Sequence, residues 1–452
     1  MTNKEEKLPN ALYRFIKSPE ARSRRKARRR FQKRLFRRIF LLPVRRRKFR
    51  NHLVALITGT KGKTSTTNAL AHILRESGHR VGVATTDGIV IGTQLIKADD
   101  SAGYTSTGRI LNDPSVTAAV IETARGGIID GGLYVDRCTV GALLNVGREQ
   151  IGIDGIETVE QMASVKRQVV DAAQQRVILN ADDPLCLKLA DEYPAFKTTL
   201  YSLTADSKSL QQHLTRGARV VCVTEDPDST IVVRENEHCL PILPTRKLAF
   251  AWGGRIRHNL SNALAATALA DGIGIAHSVI ARGLESFQNN SEVSQGRFAV
   301  VDDYPFRVIV DIADNPVAAE ALCSSLKAIR HDGRIVCLLT AVGNRPDWHY
   351  SELAAPFSQL CDHFVCCDNP QYLRDRQPGE VGHLLCAALH ARGVAEESID
   401  VVRDYQSGLA ALRNTVRPGD LVLILGFEER GNFPIMRRAF ACFENASQIE
   451  PA

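Results

Sequence analysis

The chain has 452 residues, and its 58 basic and 50 acidic side chains give a formal net charge of +8. The charge is unevenly distributed, because residues 17–50 hold 17 Lys and Arg side chains and one acid, for a segment charge of +16. Residues 1–16 add +1, so the remaining 402 residues carry −9. The sequence therefore predicts a mildly acidic body joined to a strongly basic N-terminal extension.

The composition restricts the class of protein. Hydrophobic residues make up 44% and charged residues 24%, which is typical of a soluble globular protein of two or three domains. No stretch approaches about 20 consecutive apolar residues, and no secretory signal is recognisable, so we expect no transmembrane helix. The eleven cysteines lack a zinc-binding spacing, which favours reduced, buried thiols in a cytoplasmic protein.

The basic extension, residues 1–50, has an amphipathic pattern. Phe31, Leu35, Ile39 and Leu42 recur at helical spacing among arginines, and Pro43 is expected to end the helix. Such a helix fits an anionic membrane surface, and the charge alone fits an anionic polymer. A solvated, disordered tail is the remaining alternative. Nucleic acid is disfavoured, because the segment lacks regular aromatic stacking positions.

From Leu53 onward, strand-like and helix-like patterns alternate, although residues 200–250 look irregular with short β-rich pieces. A second alternating series begins near Gly296. Such alternation predicts an α/β fold with mostly parallel sheets. The predicted strands are 53–58, 80–85, 116–123, 139–146, 176–180, 307–312, 334–340, 363–367, 400–403 and 420–425. The predicted helices are 63–77, 159–173, 259–272, 317–330, 351–361, 380–392 and 405–416.

The segment T-G-T-K-G-K-T-S, residues 58–65, lies between a predicted strand and a predicted helix. Glycines let backbone N–H groups approach a polyphosphate, and the helix N-terminus favours negative charge. The usual phosphate loop has glycine where this chain has Ile57, so a glycine turn that only caps the helix is the alternative. We predict nucleotide binding by Gly59, Thr60, Lys61, Gly62, Lys63, Thr64 and Ser65.

This T-G-T-x-G-K-[ST] form resembles the Mur ligase and folylpolyglutamate synthetase superfamily. Segments 85–89, 121–127, 132–138, 144–146, 179–184 and 258–264 look like the Mur-ligase-like C-terminal half of cyanophycin synthetase, without its ATP-grasp half. The resemblance implies a P-loop central domain with a mostly parallel sheet at 51–294. It also implies a Rossmann-like C-terminal domain at 295–452, with the basic amphipathic extension, 1–50, before both.

The resemblance also implies ATP and Mg²⁺ as cofactors, and catalytic roles for Lys63, Glu122 and Lys166. Glu122 is expected to project from the carboxyl end of a strand beside the phosphate loop and to ligate Mg²⁺ together with Thr64. A helix-capping or surface glutamate is the alternative. Lys166 matches a lysine that many family members carbamylate. An ordinary solvated helix lysine is the alternative.

Five more residues match family positions that contact the nucleotide. Asn259 and Asn262 resemble an H-N-x-x-N motif on the adenine side, where a planar amide suits a purine edge. Asn259 could equally be a helix N-cap. Asn180 matches a further motif, and Arg345 with Asp347 resembles a loop that closes over the nucleotide.

Two positions depart from the family pattern. Gln150 stands where a histidine usually binds a second Mg²⁺, and it is a weaker metal ligand. Asp314 stands where the family usually has a histidine near the ATP phosphates. A carboxylate there would be repulsive unless a cation intervenes. Either the substrate differs from those of the known enzymes, or catalysis is impaired.

The leading hypothesis is an ATP-dependent carboxylate–amine ligase that forms an amide through an acyl phosphate. It would add an amino acid or other amine to an acidic or peptide-like acceptor, in a single step and beside a separate partner enzyme. The alternative is a catalytically weakened ATP-binding regulatory protein of the same fold. Either would be cytoplasmic, free or peripheral at the membrane.

Overall fold

The computed structural model describes residues 52–148, 151–152, 154–205, 207–288, 298–327, 329, 331–374, 376–426 and 432–443. The predicted helix of the basic extension and the candidate metal ligand Gln150 lie outside these residues.

Strands and helices alternate through the first part of the described chain, residues 52–288. The strands are β1 Leu53–Thr58, β2 Val81–Thr85, β3 Gly88–Ile91, β4 Gln94–Lys97, β5 Ala118–Glu122, β6 Cys138–Leu143, β7 Ala173–Asn180, β8 Thr198–Ser202, β9 Arg219–Val223, β10 Thr230–Glu235 and β11 His238–Pro244. The helices are α1 Lys63–Glu76, α2 Tyr104–Leu111, α3 Arg125–Gly131, α4 Val159–Lys166, α5 Gln168–Asp171, α6 Pro184–Ala190, α7 Lys208–Thr215, α8 Arg257–Ile273 and α9 His277–Ser286.

The same alternation continues from residue 298. The strands there are β12 Ala299–Val301, β13 Arg307–Asp311, β14 Ile335–Leu339, β15 His363–Cys367, β16 Ile399–Val402 and β17 Leu421–Leu425. The helices are α10 Pro316–Leu326, α11 Asp347–Ser358, α12 Glu380–His390, α13 Tyr405–Thr415 and α14 Asn432–Phe440.

The strands form two sheets, which confirms the predicted α/β class. The first sheet has the order β11-β10-β9-β8-β7-β6-β1-β5-β2-β3-β4, and it is parallel from β9 to β2 with an antiparallel hairpin at each edge. The second has the order β12-β13-β17-β14-β15-β16 and is parallel except for β12. In the first sheet β1 lies between β5 and β6, so the carboxyl ends of all three meet at one edge.

Helices cover both faces of the first sheet. On one face α1 and α8 pack against each other and against the strands, and α8 is buried over most of its surface. Its run of alanines lets the neighbouring helix and strands approach closely, because alanine adds little volume. On the other face α5 packs on β6 and β7. This arrangement fixes the start of α1 at the carboxyl end of β1, where the phosphate loop lies.

The predicted elements agree with the structure at the buried strands and differ mainly at the sheet edges and in the helices α2, α3, α6, α7, α9 and α14, which had no predicted counterpart. The region 200–250, expected to be irregular with short β-rich pieces, contains the end of β8, the helix α7 and the strands β9 to β11. The predicted helix 159–173 is divided into α4 and α5, and its last residue already belongs to β7. The helix predicted from residue 351 begins four residues earlier, at Asp347. The hairpin β3–β4 had no predicted counterpart, because β4 is short and mostly exposed and so shows no apolar alternation.

All eleven cysteines are free thiols, and most are buried, as the sequence predicts. Burial raises the pKa of Cys138, Cys323 and Cys367, so these thiols stay protonated and behave as small apolar side chains. Within the described residues, no helix has the length and apolar character needed to cross a membrane.

Gly141 of β6 provides a test of the packing between the sheet and α5. A Cβ atom at this position would stand 2.5 Å from the carbonyl oxygen of Val169, which is backbone and cannot turn away. We expect Gly141→Ala to lower the free energy of unfolding by about 1–3 kcal/mol, the usual cost of overpacking a core. Urea unfolding measures this change.

The matched control is Gly126→Ala, because an added Cβ at Gly126 meets nothing within 4 Å. We expect this variant to change the stability by less than about 1 kcal/mol. Equal stabilities for the two variants would show that the contact between α5 and β6 is looser than described.

Candidate active site at the phosphate loop

The phosphate loop joins the carboxyl end of β1 to the first turn of α1. Gly62, just before the helix, has a left-handed backbone with a φ of 81°. A Cβ atom there would also collide with the amide oxygen of Asn262, so only glycine suits the position. No side chain of the described residues caps α1. The N–H groups of its first turn are therefore available to an anion.

Asn145 holds the backbone of this loop from the neighbouring strand end. Its side-chain oxygen accepts hydrogen bonds from the N–H groups of Thr60 and Lys61, at 2.9 and 2.8 Å. Its side-chain nitrogen donates to the Lys61 carbonyl at 3.2 Å. Sequence reasoning assigned Asn145 no role. Its position directly after a buried strand was the available signal, because α/β sheets bind ligands beyond their carboxyl ends.

Glu122 ends β5 and is buried against the first turn of α1. Its Oε2 accepts hydrogen bonds from the Thr64 hydroxyl at 2.8 Å and from the Thr86 N–H at 3.2 Å. Its Oε1 lies 4.0 Å from Lys63 Nζ and has no hydrogen-bond partner among the described residues. Because a buried carboxylate oxygen without a partner is costly, this atom is available to a cation.

Two lysines converge on Thr60 of the loop. Lys63 Nζ donates to the Thr60 carbonyl at 3.0 Å, and Lys166 Nζ donates to the Thr60 hydroxyl at 2.7 Å. The same hydroxyl accepts from the N–H of Gly147 at 2.8 Å. Lys166 is the last residue of α4 and is only 3% exposed. The alternative of a solvated helix lysine is therefore wrong for Lys166.

The three candidate asparagines lie close to the loop or to the strand ends that carry it. Asn262 lies beside Gly62, and its Oδ1 accepts a hydrogen bond from the Thr66 hydroxyl at 3.4 Å. Asn259 Nδ2 donates to the Phe250 carbonyl at 2.7 Å, and no side-chain cap of α8 is found among the described residues. Asn180 Nδ2 donates to the carbonyl of Leu144, next to Asn145. All three are buried, so each has a structural contact in addition to any role with a nucleotide.

Asp314 of the C-terminal domain reaches the phosphate loop directly. Its Oδ1 lies 3.1 Å from Lys61 Nζ, in an ion pair that joins residues 253 positions apart. The sequence predicted that a carboxylate here would be repulsive unless a cation intervened. Lys61 is such a cation, and no sequence pattern had linked the two residues.

Arg345 and Asp347 lie on the loop before α11 and at its first residue. The Arg345 guanidinium donates to the side chain of Asn344 at 3.2 Å. Asp347 forms an ion pair with Arg376, which also donates to the Arg345 carbonyl at 3.0 Å. Arg376 therefore links these two residues, and sequence reasoning did not identify it.

The oxygen atoms of Thr64 and Glu122 are of the kind that Mg²⁺ prefers. Across the described ranges, no three His, Cys, Asp or Glu side chains form a cluster that could hold a metal ion by themselves. A cation at this position would therefore take its other ligands from water or from a bound phosphate, as Mg²⁺ usually does in nucleotide sites. Gln150 lies outside the described residues.

Two family models match the chain in the order of its two sheets. The model of the Mur ligase middle domain matches residues 57–270, and that of the Mur ligase, glutamate ligase domain matches residues 296–427. Together they span about three quarters of the chain. The chain belongs to the Mur ligase superfamily. The family predicted from the phosphate loop and its accompanying motifs is thus confirmed.

Cyanophycin synthetases are among the curated relatives of this Mur ligase family member. The protein from Geminocystis herdmanii is 32% identical over 391 residues, which cover 85% of this chain and 43% of that protein. The one from Crocosphaera subtropica is 34% identical over 376 residues, covering 82% of this chain and 42% of that protein. The chain therefore spans less than half the length of these relatives.

A solved structure shares the fold. A bifunctional folylpolyglutamate synthase/dihydrofolate synthase, with Mn, AMPPNP and L-glutamate bound, superimposes with a TM-score of 0.61 at 18% identity. The match covers 89% of this chain and 92% of that one. At this level of identity the likeness shows the Mur ligase fold alone.

His258 at the junction of the two domains gives a pH-dependent prediction. Its ring lies near Phe298 and near Ser325 of α10, and burial lowers its pKa to about 4. Between pH 4 and the ordinary pKa of about 6.5, the unfolded chain binds a proton that the folded chain does not. The free energy of unfolding should therefore fall as the pH falls through this window, by at most about 3 kcal/mol from this residue.

Urea unfolding at pH 7.5 and pH 5 measures this dependence in the wild type and in His258→Gln. The two chains differ only at residue 258, so the difference between the two pH dependences reports His258. We expect a smaller loss of stability on acidification in the variant. An identical loss would contradict a depressed His258 pKa.

Proposed function

We propose that the chain is an ATP-dependent ligase that joins a carboxylate to an amine through an acyl phosphate. The observation that carries this proposal is the buried Glu122 carboxylate, held by Thr64 and close to Lys63 at the start of α1. A buried anion and a cation beside the N-terminus of a helix support the binding of a nucleoside triphosphate there. The membership of the Mur ligase superfamily supports amide ligation as the reaction class.

The nucleotide phosphates would bind to the loop Gly59, Thr60, Lys61, Gly62, Lys63, Thr64 and Ser65. Its N–H groups and the N-terminus of α1 supply hydrogen bonds and partial positive charge. Lys63 would neutralise charge on the transferred phosphoryl group, after releasing the Thr60 carbonyl that it now contacts. Asn145 keeps the loop backbone in place while this exchange occurs.

The Oε1 of Glu122, which has no hydrogen-bond partner among the described residues, and the hydroxyl of Thr64 fit a divalent cation, which we propose is Mg²⁺. When bound, such an ion would supply positive charge to the phosphate oxygens. Gln150 is proposed as a further ligand of this ion. Glu122 contributes a fixed, desolvated carboxylate, and Thr64 orients it through the hydrogen bond of 2.8 Å.

The proposed reaction has two steps. A carboxylate oxygen of the acceptor attacks the γ-phosphorus of ATP, and the bond to ADP breaks. The amine nitrogen then attacks the acyl carbon, the amine loses a proton to solvent or a nearby base, and phosphate leaves. Positioning and charge neutralisation contribute most to such phosphoryl transfer. We assign Lys63, Glu122 and Lys166 to this centre.

Lys166 has two possible states within this proposal. As an ammonium group it holds the Thr60 hydroxyl at 2.7 Å and so orients the phosphate loop. As a carbamate it would become an anionic oxygen ligand. Its burial supports either role over a purely solvated one, and mass spectrometry of the intact chain in bicarbonate distinguishes them.

The remaining candidates are proposed to bind the nucleotide away from the reaction centre. Asn259 and Asn262 on α8 would contact the adenine side, and Asn180 would contact the nucleotide from the same domain. Arg345 and Asp347 would contact the nucleotide from the C-terminal domain, held in place by Arg376.

The acceptor and the amine are proposed only by class. We propose an acidic or peptide-like carboxylate acceptor, and an amino acid or other small amine. We propose a cytoplasmic location, where ATP is available for this reaction. A separate partner enzyme is a further part of the proposal.

A catalytically weakened ATP-binding regulator is the second candidate, and the departure at Asp314 favours it. The ion pair with Lys61 weakens the argument for impaired catalysis, because Lys61 compensates the negative charge of Asp314. Turnover measurements separate the two candidates.

Release of ADP and phosphate, measured against a panel of amino acids and acidic peptides, tests the ligase directly. We expect amine-dependent release that Lys63→Ala reduces at least about a hundredfold, because the phosphoryl group loses its neutralising cation. Glu122→Gln should cause a similar loss.

Lys188→Ala is the matched control, because Lys188 is exposed on α6 and lies in no candidate site. It should keep full activity. Tight ATP binding by the wild type without turnover for any amine would contradict the ligase and support the regulator.

The basic extension is proposed to bring the enzyme to an anionic surface. The charge of +16 on residues 17–50 and their Phe, Leu and Ile spacing fit an amphipathic helix on anionic lipid, and an anionic polymer is the alternative ligand. This proposal rests on the sequence alone.

Co-sedimentation with vesicles tests this role of the extension. We expect the full chain to sediment with phosphatidylserine-containing vesicles, and a chain beginning at Asn51 to remain in solution. Neutral phosphatidylcholine vesicles should retain neither, and added salt should release the full chain, because the attraction is electrostatic. Equal partitioning of the two chains would contradict membrane binding.

A further inference from the structure

One ion pair connects the phosphate loop to the C-terminal domain. Lys61 Nζ lies 3.1 Å from Asp314 Oδ1, and the two side chains are 33% and 23% exposed. The pair is therefore shielded in part from water, where charges interact more strongly than at an open surface. It lies within the loop proposed to bind the ATP phosphates.

The C-terminal domain sets the position of the Asp314 carboxylate. Asn315 Nδ2 donates to Asp314 Oδ1 at 2.9 Å, while the Asn315 side-chain oxygen caps α10. The ring of His349, on α11, donates to the Asp314 carbonyl at 3.1 Å. Two helices of this domain thus hold Asp314 in place.

Lys61 is held differently, because its backbone is fixed while its charged end can move. Asn145 binds both its N–H and its carbonyl. The ammonium group lies at the end of a flexible four-carbon chain. It can therefore exchange one anion for another without any change in the loop.

Asp314 and a nucleotide polyphosphate would compete for this ammonium group. Both are anions next to the same loop, and a carboxylate without its cation would repel the phosphates. We propose that Asp314 is a positioning residue that sets the affinity of the phosphate loop for nucleotide polyphosphates by holding Lys61. This inference rests on the proposed ATP binding and assigns a function to the position where the family pattern changes.

The proposal makes the two partners act in opposite directions. Asp314→Asn keeps the shape and the hydrogen bond to Asn315 but frees Lys61 for the phosphates, so ATP should bind about threefold to tenfold more tightly. Lys61→Gln removes the positive charge that pairs with the Asp314 carboxylate, so ATP should bind about tenfold more weakly. The double variant should recover most of the affinity that Lys61→Gln loses.

Isothermal titration calorimetry of the full chain with ATP, ADP and adenosine, each with Mg²⁺, tests the proposal. The changes in affinity caused by the substitutions should be largest for ATP, smaller for ADP and absent for adenosine, because their size depends on the negative charge of the phosphates. A purely structural role would change all three alike. Asp314→Glu retains the charge and should bind ATP as the wild type does.

Lys247→Gln is the matched control, because Lys247 forms a pair with Glu285 at the same 3.1 Å but on the exposed surface. It should not change ATP binding. Circular dichroism of each variant establishes that it is folded before the titrations are compared.

The outcomes distinguish this inference from the proposed function. If the wild type does not bind ATP, the proposed function is wrong and the inference fails with it. If the wild type binds ATP but Asp314→Asn binds it no more tightly, or the double variant is as weak as Lys61→Gln, only the inference is overturned.

Discussion

The parallel pairing of β1 with β5 on one side and β6 on the other is the constraint on which the candidate site depends. Because the three strands run in the same direction, the residues that follow them meet at one edge of the sheet. The phosphate loop follows β1, Glu122 ends β5, and Asn145 lies just beyond β6. A shift of one residue in the pairing of β5 with β1 would turn Glu122 to the opposite face of the sheet.

Local compensation of charge dominates the chemistry at this edge. The net charge of +8 has no bearing on it, because the basic excess belongs to the extension. Within the site, Lys63 lies near Glu122 and Lys61 is paired with Asp314. A polyphosphate entering such a site competes for cations that already have partners. Affinity therefore depends on what each cation releases as well as on what it gains.

Much of the fold was predictable because buried parallel strands appear in the sequence as short apolar runs. The strand His363–Cys367 was predicted to the residue, and β1 was as well. The edge hairpin β3–β4 was not predicted. Each of its strands has only four residues and β4 is mostly exposed, so the sequence shows too little apolar alternation there. The division of the helix at residues 159–173 was missed because no Gly or Pro marks the break at Arg167.

The sequence by itself determined the family, the phosphate loop, and Glu122 and Lys166 as candidate residues, because these lie in short contiguous motifs. Only the tertiary structure decided which groups hold them. Asn145, just beyond β6, supports the loop through three side-chain hydrogen bonds that join residues 84 or 85 positions apart. Lys61 meets Asp314 across 253 residues. Such contacts arise from the packing of strands and domains, and no local pattern encodes a distance between segments that far apart in the chain.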